Sequence, residues 1–354
     1  MSRRVLVTGA TGFIGPHVLG ALAARGDAVW ALARTGGPAD AAGRPFAGET
    51  SADARRASWL RGDLLDAASI ERALRDARPD LVLHLAGARN GTRAELDAIN
   101  VGGARRLVDA MARARAGGAG GPGGSGGSTG CARLVVVGSA AEYGAVPESA
   151  LPIREDAPLA PVGDYGETKA EASAAALADG ARLGVPVVVA RVFNVTGPGE
   201  PETLLFGRVA HAIARAEREA AAARGSNPAR EGAIVRDPAA APAEIRVGSL
   251  GATRDLIDVR DVARALLVIA DRAAPGAIIN VGRGVEEPVR GHVARLVALA
   301  RVPARAAEPP AVSPPAPARH VADVARLAAL GFVPAVSLDE SARDLLAGAR
   351  AQTG

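Results

Sequence analysis

One lysine, one cysteine, two tyrosines and two tryptophans are all that a chain of 354 residues holds of these types. Each shortage excludes something. With Cys131 alone, no intrachain disulfide can form, and a reducing compartment fits. Aromatic residues at 3% leave a core to be built from Ala, Val, Leu and Ile. No apolar run approaches the length of a membrane span. The five histidines are scattered, so no metal site is expected. Basic residues stand among acids, with no basic block and no interleaved aromatics, and the net charge is only +4. The isoelectric point near 10.1 therefore reflects arginine rather than a nucleic-acid footprint. The amino terminus, MSRRVLVTG, enters an apolar strand at once and leaves no room for a secretory leader. The expectation is a cytoplasmic protein with neither a nucleic acid nor a membrane as partner.

What is present is a rhythm. Strand-length apolar runs (RVLVT, AVWALA, DLVLHLAG, ARLVVVGS, VPVVVARV) alternate with helix-length amphipathic stretches. Runs of Val and Leu without alternation are buried on both faces, so the fold class is α/β with a doubly wound parallel sheet. Three stretches rich in Gly, Ala, Pro and Arg interrupt the pattern, at 35–57, 116–130 and 218–244, and read as surface insertions.

VLVTGATGFIG sets Gly9, Gly12 and Gly15 directly after the first strand and at the opening of a helix. Glycines there permit a tight turn, let backbone N–H groups approach a pyrophosphate, and let helix and strand pack closely. The pattern predicts dinucleotide binding. At the end of the second strand, where a carboxylate would accept from an NAD ribose, stands Arg34, with no acid before Asp40. An arginine suits the 2′-phosphate of NADP(H), which is therefore favoured over NAD(H).

The lone lysine, Lys169, follows Tyr165 by four residues in DYGETKAEA, so a helix puts both on one face. A phenol is a poor proton shuttle at neutral pH, and a neighbouring ammonium favours its phenolate. Such a pair can give a proton to a carbonyl or take one from an alcohol, and the ammonium can also donate to ribose hydroxyls. Arginine, forked and planar, is no substitute for a lysine in that position.

At this point the residues resemble a family, the extended short-chain dehydrogenases/reductases that act on nucleotide sugars. TGATGFIG resembles its cofactor loop, with Thr11, Phe13 and Ile14 beside the glycines, and YGETK its Tyr-x-x-x-Lys pair. GDL, with Asp63 and Leu64, resembles the segment that meets adenine. HLAG, with Leu85, Ala86 and Gly87, resembles the segment lining the cofactor. NVGGARRLVDA resembles the helix whose Asn, here Asn100, supports the site, and GSAAEYG the segment supplying the catalytic Ser, here Ser139. The resemblance implies a Rossmann domain over residues 1–190 and a smaller substrate lobe over 191–354 that returns some elements to the first. It also implies a homodimer.

Family members include dehydratases, epimerases and reductases. A dehydratase carries acid–base groups just after the catalytic hydroxyl residue, where this chain has Ala140 and Ala141; Glu142 is out of phase and is expected to point elsewhere. Residues 191–217 and 245–271 resemble the members that reduce GDP-4-keto-6-deoxymannose. That resemblance implies Asn194 and Arg254 as substrate contacts. Arg254, expected just ahead of a short apolar strand, would act through the diphosphate. A 4-epimerase that keeps NAD bound stays open as the alternative.

Overall fold

The non-alternating Val and Leu runs form one parallel sheet. Its first strands in the chain are β1 (Arg4–Thr8), β2 (Ala28–Ala33), β3 (Ser58–Arg61), β4 (Leu81–His84), β5 (Arg133–Ser139) and β6 (Val187–Val192). After β7 (Asn194–Thr196), β8 (Ala243–Arg246) and β9 (Thr253–Asp258), the chain returns to this sheet with β10 (Ile278–Val281). The seven strands lie in the order β10-β6-β5-β4-β1-β2-β3. The direction of winding reverses between β1 and β4, and the crevice beyond the carboxyl ends of such strands is where open α/β sheets bind ligands. The computed structural model describes residues 2–35, 37, 56–118, 132–225, 242–308 and 318–353.

Successive residues on a strand face opposite sides, and both sides are covered. Val5 and Val7 pack with Val18, Leu19 and Leu22 of helix Gly15–Ala24 and with Val262 and Leu266 of helix Val259–Arg272. Leu6, Val82, Leu134 and Val136 pack on the other side with Ile70 and Leu74 of helix Ala67–Ala77, Leu107 and Val108 of helix Gly102–Gly118, and Ala172 and Ala176 of helix Gly163–Leu183. Burying each Leu or Val contributes about 1.5–3 kcal/mol. The doubly wound parallel sheet read from the sequence is the fold observed.

A second apolar cluster belongs to the carboxy-terminal half. Phe206, Val209 and Ile213 of helix Leu205–Gly225 meet Val293 and Leu296 of helix Val289–Ala298 and Leu345 and Leu346 of helix Leu338–Thr353. Around it lie a small sheet, in which β11 (Glu286–Pro288) and β13 (Arg319–His320) flank β9 and β7 also pairs β9, and a pair formed by β8 with β12 (Ala304–Ala307). Three expected insertion boundaries shift. Helix Gly102–Gly118 runs past 116 into the first two glycines, and helix Leu205–Gly225 runs past 218, where Glu, Ala and Arg extend a helix readily. Strand β8 begins at Ala243, before the third insertion's expected end at 244. Asp40, Cys131 and the greater part of the three insertions lie outside the described residues. Among the described residues, no helix is long and apolar enough to cross a membrane.

Candidate active site

The loop after β1 is shaped by its glycines. Gly9 has φ +73°, and a Cβ there would lie 2.5 Å from the Ala86 nitrogen. That close approach brings the loop against Leu85, Ala86 and Gly87 beyond β4, with the Leu85 N–H donating to the Thr8 carbonyl at 3.1 Å. Beneath it, Thr8 and His84 join β1 to β4 through a buried Oγ1···Nδ1 contact of 2.7 Å. A Cβ on Gly15 would run into the Ala10 backbone, so only glycine allows the helix to start so near the strand. Thr11, Phe13 and Ile14 are partly exposed along this turn, and Ile14, at the helix N-cap, makes no side-chain capping bond. The first N–H groups of the helix thus have no capping side chain, and the cradle fits a pyrophosphate.

Arg34, Arg61, Asp63 and Arg72 line a cavity of about 560 Å³ beyond the ends of β2 and β3. Arg34 is exposed, and its guanidinium has no hydrogen-bond or ion-pair partner among the described residues. Asp63 holds its own turn: Oδ1 accepts from the Leu65 N–H at 3.0 Å, while its N–H donates to Ser69 Oγ at 2.9 Å. Leu64 turns into the core, so its side chain does not line this cavity.

The polar centre lies at the ends of β4 and β5. Asn100 is buried in a π-helical stretch, Asp97–Val101, of the kind that recurs at functional sites. Its Oδ1 accepts from the Ala88 N–H at 2.8 Å, and its Nδ2 donates to the Ala88 carbonyl at 2.9 Å and to Thr168 Oγ1 at 3.0 Å. Thr168 precedes Lys169, which is only 8% exposed and donates from Nζ to the Val137 carbonyl at 2.7 Å. A Cβ on Gly87 would stand 3.1 Å from Asn100 Oδ1 and 3.7 Å from Lys169 Nζ. Gly87, Asn100 and Lys169 therefore meet at one point. Burial, then the Lys169 charge, pushes the His84 imidazole down to about 3, so it is neutral there.

Tyr165 lies in the first turn of helix Gly163–Leu183. A Cβ on Gly166 would sit 2.8 Å from the Ala141 carbonyl oxygen, so glycine lets this turn approach the end of β5. There Ser139 caps a short 3₁₀ turn, Ala140–Glu142, its Oγ accepting from the Ala141 N–H at 3.2 Å. Among the described residues the Tyr165 hydroxyl is hydrogen-bonded to neither Ser139 nor Lys169; catalytic hydrogen bonds commonly tighten only around substrate. Arg89, which sequence reasoning passed over, places its guanidinium 5.7 Å from the centre of the Tyr165 ring. It stands two residues past HLAG, after Ala88, and that nearness was the available signal.

Glu142 does point away from the crevice, but into the core as a fully buried partner of Arg191, 2.7 Å from its Nε. The two substrate candidates are connected through β9. Ser139 pairs with Val192 on β6, and Asn194, exposed, opens β7 just beyond, opposite Leu256 of β9. Arg254 lies inside β9 rather than ahead of a strand, because the polar residues Thr253, Arg254 and Asp255 are drawn into the strand by pairing with β11 and β13. Among the described residues its guanidinium reaches only carbonyls, Thr253 at 2.9 Å and Ala318 at 3.4 Å, leaving donors for an anion. Facing it on β13 is His320, pushed down to about 4 by burial and the Arg254 charge. Asp258 and Asp261 act as helix-start acids, Asp258 accepting from the Arg260 N–H at 2.8 Å. Among the described residues, no group of three or more His, Cys, Asp or Glu is arranged to hold a metal.

Residues 5–282 match the model of the NAD dependent epimerase/dehydratase family. The chain belongs to this family. It is 29% identical to the GDP-6-deoxy-D-mannose reductase of Pseudomonas aeruginosa over 98% of this chain and 97% of that one. It is 32% identical to the dTDP-6-deoxy-L-talose 4-dehydrogenase (NAD(P)(+)) of Kitasatospora kifunensis, over 97% of this chain and 94% of that one. The solved structure of RMD from Pseudomonas aeruginosa complexed with NADPH superposes with a TM-score of 0.73 at 27% identity, covering 99% of each chain. These relatives are nucleotide-sugar oxidoreductases, and a nicotinamide dinucleotide is the cofactor that the family and its structures support.

Proposed function

We propose that this family member reduces the C4 ketone of a nucleotide-linked 4-keto-6-deoxysugar, with GDP-4-keto-6-deoxymannose as the substrate and GDP-rhamnose as the product. The turn after Ser139 carries the choice of reaction. Ala140 and Ala141 offer methyl groups where elimination of water needs proton donors and acceptors, and the Glu142 carboxylate is bound to Arg191. Tyr165 is then left as the proton donor of the site.

Bound NAD(P)H supplies the hydride for carbon 4. The glycine loop and the uncapped helix hold its pyrophosphate, and Asp63 meets its adenine. Lys169, fixed by Val137 and set beside Asn100, donates to its ribose. Ser139 hydrogen-bonds the carbonyl oxygen, and the Tyr165 hydroxyl gives that oxygen its proton, so one hydride and one proton complete the alcohol. Asn194 and Arg254 bind the nucleotide sugar.

Incubation of the purified protein with GDP-4-keto-6-deoxymannose and NADPH, followed at 340 nm, is expected to show one cofactor oxidised per alcohol formed. Interconversion of nucleotide-hexose C4 epimers with no added cofactor, and inertness toward the keto-sugar, would establish the 4-epimerase reading in its place.

NADPH is the preferred reductant in this proposal, through the Arg34 guanidinium. Arg34→Ala is expected to weaken NADPH roughly tenfold or more, the worth of a charge-assisted bond, and NADH by no more than about twofold. Equal weakening of both dinucleotides in a fluorescence titration would return Arg34 to an ordinary surface arginine.

A further inference from the structure

Ser139 is held from behind by a carboxylate. Glu142 Oε1 accepts the Ser139 backbone N–H at 2.9 Å, while Ser139 Oγ accepts from the Ala141 N–H, so residue and turn lock each other. The same Oε1 accepts from Ser173 Oγ at 2.9 Å, and Ser173 is on the helix that carries Tyr165 and Lys169. Oε2 accepts from Arg191 Nε at 2.7 Å on β6. Arg191 in turn lies 4.8 Å over the Tyr143 ring and donates to the Glu155 carbonyl at 3.2 Å. Tyr143 donates its hydroxyl to Asn280 Oδ1 at 2.6 Å, and the Asn280 N–H donates to Glu155 Oε1 at 3.0 Å. Gly138 leaves the room: a Cβ there would collide with Glu142 Oε1.

Glu142 is fully buried and Arg191 only 4% exposed. Removing two charges from water is costly, and a well-packed apolar pair would stabilise a fold at least as well. What the carboxylate adds here is geometry, because a single side chain fixes the end of β5, the helix bearing Tyr165 and Lys169, and β6 against one another.

We infer that Glu142 is a positioning residue for the reaction: it sets the orientation of the Ser139 hydroxyl relative to Tyr165, with Arg191 fixing the carboxylate. This rests on the proposed role of Ser139. Glu142 itself touches neither substrate nor cofactor; it acts through the backbone N–H that it accepts.

The test is a cycle of Glu142→Gln, Ser139→Ala and the double variant, assayed with GDP-4-keto-6-deoxymannose and NADPH beside melting curves and NADPH binding. Glu142→Gln is expected to lower kcat roughly tenfold or more, with NADPH affinity within about twofold and KM little changed. In the Ser139→Ala background the same substitution should remove less than about a further twofold, because the group it positions has gone. Glu142→Asp keeps the charge against Arg191 but falls short of the Ser139 N–H. It should fold and still lose turnover, and it decides the matter if the glutamine variant fails to fold. Equal losses in both backgrounds, or wild-type kcat in Glu142→Asp, would overturn the positioning role. Wild-type turnover in Ser139→Ala alone would instead remove the functional reading beneath it.

Discussion

Tyr165→Phe is expected to lower turnover by roughly 10²–10⁴-fold while leaving dinucleotide affinity nearly intact. The phenyl ring fills the same space under the Arg89 guanidinium, so only the transferable proton is lost. The neighbouring change, Lys169→Arg, is expected to damage both turnover and cofactor binding, despite conserving charge. Lys169 is 8% exposed and reaches the Val137 carbonyl with a single ammonium hydrogen bond. A planar guanidinium is larger, and Gly87 and Asn100 close in on that position. Stopped-flow reduction and NADPH fluorescence titration of both variants separate the effects. A fully active Tyr165→Phe protein would leave the site without its proposed proton donor.

The parts of the site that the sequence made legible are those where local chemistry admits few residues. Gly9 and Gly15 could be read because a positive φ and close backbone approaches leave room for no side chain. Tyr165 and Lys169 could be read because scarcity and helical spacing coincide in one segment. The strands of the main sheet were legible because burial on both faces removes polar residues from them. Long-range partners were not. Nothing within a few residues of Glu142 announces Arg191, which stands 49 positions later and meets it only because β5 and β6 are neighbours in the sheet. Arg254 was placed outside its strand because Thr253, Arg254 and Asp255 read as polar, and Asp255 is buried through the distant N–H groups of Arg283 and Gly284. Arg89 was passed over because a chain so rich in arginine gives each one little individual signal.

Stability is expected to fall steeply as pH drops from about 6.5 toward 4, by an amount comparable with the whole stability of a domain. Burial pushes His84 down to about 3 and both His292 and His320 to about 4. Each takes up a proton near pH 6.5 when unfolded but resists one when folded. Their contribution is therefore fully present above pH 6.5 and is lost as pH falls through the folded values. Each pH unit separating the folded from the unfolded value corresponds to about 1.4 kcal/mol, so the three imidazoles together approach roughly 10 kcal/mol as an upper bound. Glu200 acts in the opposite direction. Burial raises its carboxyl to about 7, so its neutral form is favoured on folding. Its cost to stability is absent below about pH 4.5, grows as pH rises, and reaches about 3 kcal/mol above pH 7. Between pH 5 and 6 these histidines, with His17 lowered in the same direction by burial, outnumber it, and unfolding should take up about two or more protons net. Urea denaturation measured at intervals from pH 8 to 5 gives that number as the slope of stability against pH. Glu200→Gln is expected to raise stability at pH 8 and to steepen the slope by about one proton, while His292→Gln should flatten it by one. A wild-type stability that stays level across this window would mean that these imidazoles are protonated within the fold, contrary to their burial.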